Sequence, residues 1–446
     1  MTMPAVKEIQ NPVERLTELV ATTTHVPVWL AALRRNALTR FSQTGFPTTD
    51  DEDWRFTPVT ALKALPFVIA TPDFDRADAA IQHSPFASIE GPRLVFVDGQ
   101  FSRELSQVTN LPDGVRVQPI SEALRQDNSA LQSHIERLPD RNASPFLPLN
   151  TALFSDGAHI EIPAGCELPA PVRVLFLTTS PHAGAFAALR NVIVAGANSR
   201  VTIIEQYVDA SGAAYWNNVQ TTLVAGEGAI VEHIRFQEEG RHAFHTGSLH
   251  LVLARDCRVK HHSFALGARL SRQDIRARLD GEGLDCVLNG LYLTDGDRLA
   301  DHHMVVEHLR PHCTSHEYFN GLLDDRSRGV FHGRIHVHPG ADKTDAKQTN
   351  KNILLSKDAT VDTKPQLEIY ADDVRCTHGA TIGQIDAASV FYLRARGLGE
   401  EDARRMLLHA FAGEIVERID YAPVREEIDS LIWERLERNP HIAATA

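Results

Sequence analysis

The chain has 446 residues, enough for two or three modest domains or one extended architecture. A hydrophobic fraction of 43% and a charged fraction of 23% are those of a folded globular protein and exclude a disordered one. The formal charge is −13 and no dense basic run occurs, so nucleic acid is not an expected partner.

The opening MTMPAVKEIQNPVERL carries charges and a proline where a secretory signal needs a continuous apolar core. No apolar run of about 18 residues follows anywhere, so a cytoplasmic protein without a membrane anchor is expected.

Residues 1–70 read as an N-terminal helical region. In NPVERLTELVATTTHVPVWLAALRRNALTRF, Leu16 and Leu19, then Trp29, Leu30 and Leu33, recur at helical intervals. GFPTTDDEDWRFTPV breaks that pattern, and Trp54 and Phe56 are expected to anchor it on an apolar surface. Residues 71–150 form a mixed α/β connecting region, with a strand at RLVFVDG and a helix at ISEALRQD.

From 151 to 386 the period changes to short runs of Val, Ile, Leu and Thr between turn residues. VAGANSRVTI from Val194, VAGEGAIVEH from Val224, LARDCRVKHH from Leu253 and LDGEGLDCVL from Leu279 share one shape, and their starts lie 30, 29 and 26 residues apart. Fainter echoes stand at LLDDRSRGVF from Leu322 and LLSKDATVDT from Leu354. A near-constant period favours the stacked coils of a parallel β-helix over an antiparallel sandwich, because each coil can bury its apolar face only on the next. Residues 387–446 return to helix. AASVFYLRARGL ends at Gly397, a suitable C-cap, and Leu407, Phe411, Ile415 and Ile419 space along one face of the next helix. These helices could cap the solenoid's end or dock a partner.

The chemistry-bearing motifs are few. PGADKTDAK lacks the glycine spacing of a phosphate loop, and there is no GxSxG elbow, HExxH helix or GxGxxG turn. The five cysteines, Cys166, Cys257, Cys286, Cys313 and Cys376, are scattered singly, which excludes a disulfide framework and a zinc knuckle. Of 22 histidines, His332, His336 and His338 would share one face of a strand opposite Phe331, Ile335 and Val337. They are weak metal candidates, since an outward polar ladder needs no ion. His302, His303 and Glu307, and Cys313 beside His312, fit no tight metal template and read as solvated or hydrogen-bonded surface. In YADDVRCTHGATIG, Cys376 and His378 share a face of an extended segment. An imidazolium there could lower the thiol pKa, with Asp372 and Asp373 as further ligands or orienting acceptors. From composition alone, an edge cysteine and a surface histidine explain the pair more simply.

KTDAKQTNKNILLSKDATVDTKPQLEIYADDVRCTHGATIG, with RPHCTSHEYFNGLLDDRSRGVFHGRIHVHPGA, LNTALFSDGAHIEIPAG and FYLRARGL, resembles the SufB/SufD family of the SUF iron–sulfur cluster assembly machinery. DEDWRFTP fits more loosely. The resemblance implies a right-handed parallel β-helix between helical ends and a non-catalytic scaffold. It also implies a heterodimer with SufB through the β-helix, docking of the ATPase SufC through the C-terminal helices, and a homodimer as an option for the isolated chain. No cofactor would be held stably, but iron or a nascent cluster would pass through the SufB–SufD interface. His378 matches a histidine implicated at that interface and Cys376 a nearby cysteine. Gly379 stands where SufB has an acid, and no cysteine lies at Lys351–Leu355, so the resemblance leans to the SufD side. Two rivals are a polysaccharide-cleaving enzyme, disfavoured by 7% aromatic residues, and a histidine metal store.

Overall fold

The computed structural model describes residues 12–21, 26–126, 129–136 and 144–439. The chain enters through helices α1 (Pro12–Ala21), α2 (Val28–Thr44), α3 (Thr60–Lys63) and α4 (Phe74–Gln82). Strands β1 (Arg93–Val97), β2 (Gln100–Phe101) and β3 (Arg116–Pro119) follow, then α5 (Ile120–Ala123), α6 (Ser129–Glu136) and α7 (Phe146–Leu153). The expected helix at ISEALRQD is a single turn, and the strand at RLVFVDG is β1, which already joins the solenoid by parallel pairing.

Two sheets then build a parallel β-solenoid of about eight turns. One carries β5 (Val172–Thr178), β7 (Arg200–Asp209), β9 (Ile230–Glu238), β11 (Arg258–Ala265), β13 (Asp285–Thr294), β15 (Thr314–Leu323), β17 (Asp345–Leu354) and β19 (Arg375–Gly383). The other carries β4 (Ala158–Ile162), β6 (Ala185–Ala195), β8 (Tyr215–Ala225), β10 (Phe244–Leu253), β12 (Leu270–Leu279), β14 (Leu299–His308), β16 (Arg328–Val337) and β18 (Thr360–Ile369). Alternate residues line the interior in straight columns, such as Val201, Val231, Val259, Cys286, Ser315, Ala346 and Cys376. The pleat sends successive side chains to opposite faces, so columns of like residues form the core.

The recurring turns are set by one left-handed residue each. Asn198, Gly228, Asp256 and Gly283 have φ near +55 to +69° and stack, and a Cβ on Gly228 would sit 2.4 Å from the Asn198 side chain. These four close the passages from β6, β8, β10 and β12. The echoes at Leu322 and Leu354 lie instead on the opposite edge, between β15 and β16 and between β17 and β18. They belong to a second turn series, and similar small and acidic residues made the two look like one.

The C-terminal helices are α8 (Ala387–Arg394), α9 (Glu400–Val416) and α10 (Ala422–Glu437). They do not cap the solenoid's end. Leu408, Ala412, Ile415, Val424, Ile428 and Ile432 pack along its side, on Ile234, Phe236, Phe264 and Leu291 of β9, β11 and β13. The buried stripe of α9 runs through Leu408 rather than Leu407, which is only half-buried. The other sheet is covered at its early coils by α1, α2 and α7 around Trp216, Phe186, Phe46 and Phe146. Trp54 is anchored as expected, 5.3 Å from the Phe146 ring.

Candidate functional site at the open end of the solenoid

β18 and β19 each end their sheet and have one neighbour apiece, β16 and β17. No residue of either strand is fully buried. The mouth of the solenoid therefore lies between two unpaired strand edges.

Register carries Cys376 onto Ala346 and His378 onto Gln348, so both continue interior columns at that mouth. Cys376 is half-buried against a cluster of Ile335, Val337, Ala341 and Ala346, whereas His378 is exposed. Burial, with the Asp345 carboxylate, pushes the Cys376 thiol up. The thiol lowering that the Cys-x-His spacing suggests is thus absent, because the apolar side of the last coil penalises a thiolate more than its surroundings favour one. Asp373 is committed to Lys343 through an ion pair and a backbone bond across the neighbouring turn, and Asp372 is exposed.

Beneath His378, Gln348 donates from Nε2 to Glu317 of the next coil inward. Space for Gln348 depends on Gly333, whose Cβ would come 2.1 Å from Nε2. Glu317 is fully buried, and desolvation raises its carboxyl to about 7. A group that gains or loses a proton near neutrality therefore lies two coils inside the mouth.

Further in, Leu288 and Phe319 stand between this mouth and a second polar cluster. There Tyr207 donates to Glu205 at 2.8 Å, His233 Nε2 lies 3.2 Å from Glu205, and His233 meets His261 at 3.0 Å. His302 sits in this interior 3.0 Å from Ser263, and burial holds it down to about 3. It is thus no surface histidine. Cys313 is buried too, with its Sγ 3.1 Å from the Gly281 carbonyl, and it shares one core cluster with Cys257 and Cys286. Thiols that look scattered in sequence gather in the core of neighbouring coils, where burial pushes Cys257 up to about 12. These interior groups escaped the sequence reading, although polar residues at alternate positions of apolar strands, as in RFQEEGRHAFH, carry the signal.

His332, His336 and His338 do project outward from β16 opposite Phe331, Ile335 and Val337, but they do not form one group. His336 and His338 stack 4.0 Å apart, with Glu307 3.5 Å from His338. His332 is buried against His303 and Asp53. His303, expected at a solvated surface, is buried as well.

Among the described residues no helix is long and apolar enough to cross a membrane.

Two family descriptions match the sequence: the SufBD core domain of SUF system FeS cluster assembly over residues 176–411, and the SufBD protein N-terminal region over residues 17–174. An iron-sulfur cluster assembly SufBD family protein of Synechocystis is 33% identical over 427 residues, 94% of each chain. The iron-sulfur cluster assembly protein SufD of Escherichia coli is 33% identical over 403 residues, 90% of this chain and 91% of its own. SufD of Bacillus subtilis is 23% identical over 428 residues, 91% of this chain and 94% of its own. With the parallel solenoid and its flanking helices, these likenesses establish that the chain belongs to the SufBD family of iron–sulfur cluster assembly proteins.

Proposed function

We propose that this chain is a non-catalytic scaffold subunit that pairs with a SufB-type β-helix at its open coil, docks the ATPase SufC through its C-terminal helices, and helps build or pass on clusters at the shared boundary. The observation that carries this reading is the pair of long, unpaired strand edges flanking a mouth that holds Cys376 and His378. Edges of nine and ten residues are templates for another strand, and soluble proteins rarely leave them bare. Two edges side by side suit a partner with the same cross-section.

Iron and sulfur are cargo in this scheme. Soft thiolate ligands hold them, and imidazole completes a site that must later release them. One cysteine and one histidine cannot hold a cluster alone, so the partner supplies the remaining ligands. The raised Cys376 thiol stays protonated until iron displaces the proton, which couples loading to assembly. Docking of the ATPase is supported by α8, which buries no residue and exposes Phe391 and Tyr392 beside α9. The missing phosphate loop leaves ATP hydrolysis to that partner.

Co-purification with SufB and SufC, followed by anaerobic cluster reconstitution, tests the reading. His378→Ala is expected to keep the complex and lose most cluster formation. Unchanged cluster formation would remove His378 from the mechanism. Phe391→Asp with Tyr392→Asp is expected to release SufC while SufB stays bound, and retention of SufC would place its dock elsewhere.

A further inference from the structure

On the outer face of the β14–β16 sheet, Asp274, His303, His332 and Lys364 stand in register on four successive coils. The segment Asp51–Phe56 folds across them. Trp54 lies beneath the Arg272 guanidinium at 3.8 Å, Arg272 Nη1 donates to the Asp53 carbonyl at 2.7 Å, and Lys364 pairs with Glu52 at 2.5 Å. Together these contacts hold the Asp53 carboxylate over the two imidazoles. Its Oδ1 is 3.7 Å from His303 Nε2 and 3.9 Å from His332 Nδ1, and those two ring nitrogens are in direct contact.

The opposite ring nitrogens face acceptor oxygens. His303 Nδ1 faces the buried Asp301 carboxylate at 3.4 Å, and His332 Nε2 faces the Gln366 carbonyl oxygen at 2.9 Å. Carboxylate and amide oxygens can only accept, so both partners favour the tautomers that carry the proton on the outer nitrogens. A neutral imidazole has only one N–H. The inner nitrogens are then two lone pairs pointed at each other and at a carboxylate, in rings only 9% and 8% exposed. Such a cluster repels itself unless a proton or a metal cation lies at its centre.

We propose that His303 Nε2, His332 Nδ1 and Asp53 Oδ1 bind one divalent first-row transition-metal ion, with Asp301 and Gln366 as positioning residues behind the two imidazoles. Ligand atoms bound at about 2.0–2.2 Å to one ion lie roughly 3–3.6 Å apart, so the Asp53 distances need little change and the two nitrogens must part. Two imidazoles and a carboxylate suit zinc, iron(II) or cobalt(II) over magnesium and calcium. Imidazoles backed by a carboxylate and an amide are the arrangement that fixes ring orientation in metal sites. The free coordination positions face a cavity of about 200 Å³ bordered by Arg55, Asp362 and Lys364. The ion would pin the Asp51–Phe56 segment to β14 and β16, the coils next to the open end.

Titration of the full-length chain with Co²⁺ tests it. The expected result is one tight equivalent with a visible d–d spectrum, no thiolate charge-transfer band, and a melting temperature that rises with added metal. His332→Ala and Asp53→Asn should each weaken Co²⁺ binding at least tenfold, and Gln366→Leu should weaken it about ten- to a hundredfold. His336→Ala should leave it unchanged. No d–d spectrum in the wild type would overturn the proposal, with a proton filling the site instead. Loss of binding in His336→Ala, or a thiolate band, would overturn it by moving the ion to the Glu307 group or to Cys376. If His332→Ala fails to fold, the half-buried Gln366→Leu and exposed Asp53→Asn variants decide the matter.

Discussion

The two ends of the solenoid are built from the same kind of strand and finished in opposite ways. At the first end β2 and β3 turn antiparallel onto β1 and β4 and terminate both sheets. Nearby, Trp216 is fully buried among Phe46, Phe67, Phe146 and Phe186. At the other end β18 and β19 stop in mid-pattern with their edges and inner faces open, and Ile369, Tyr370 and Ile382 are exposed. A coil cannot satisfy its own edge, so closure must come from sequence outside the repeat. The N-terminal segments supply it at one end. The C-terminal helices, which could have done so at the other, are spent on the flank.

The contrast can be broken most severely at the closed end. Trp216→Ala is expected to cost about 3–5 kcal/mol, read as a lower urea midpoint, because a large ring leaves a cavity that the four surrounding phenylalanine rings cannot fill. A loss below 1 kcal/mol would mean that the aromatic cluster does not hold the N-terminal helices in place.

An intermediate effect belongs to Glu317 inside the mouth. Its folded-state pKa of about 7 exceeds the ordinary 4.5, so the folded chain binds this proton more tightly than the unfolded one. Its contribution to stability is complete below about pH 4.5, declines as pH rises towards 7, and is level above that. Glu317→Gln keeps a neutral partner for Gln348 and abolishes the decline. The variant should therefore gain on the wild type between pH 5 and 8, by an amount on the order of 3 kcal/mol. Parallel stability–pH curves would show that Glu317 is solvated or unshifted.

The smallest effects on stability are expected at the open end. Ile382→Lys, at an exposed position over Asn352, should change the isolated chain's stability by no more than about 0.5 kcal/mol and yet abolish pairing with SufB. Stability and pairing unchanged together would count against the mouth as an interface. Alkylation provides a still finer probe. Cys376, half-buried with a raised pKa, should react more slowly with iodoacetamide at neutral pH than a free thiol, and Cys257 and Cys286 should not react in the native state.

Much of the fold was legible in the residues. The spacing of VAGANS, VAGEGA and LARDC already encodes stacked coils, since one left-handed residue per turn leaves a recurrent Asn, Gly or Asp. The strand face of His332, His336 and His338 was also readable from the period of two. What failed were statements about the depth of single side chains and about which of them meet. His302 and Cys313 have polar or reactive side chains that single-sequence patterning assigns to the surface, and only the columns of the solenoid place them inside. His303 and Asp53 are 250 residues apart in the chain, and no spacing rule connects them.

The sequence by itself determined the repeating strand, its turns and the family to which the chain belongs, because each depends on local periodicity or on matching residues. Tertiary structure alone decided which coil stays open, where the helices lie, and which imidazoles meet. Those outcomes depend on register summed over many coils and on contacts between distant segments. A one-residue slip in any strand would turn Cys376 and His378 from the mouth to the outside.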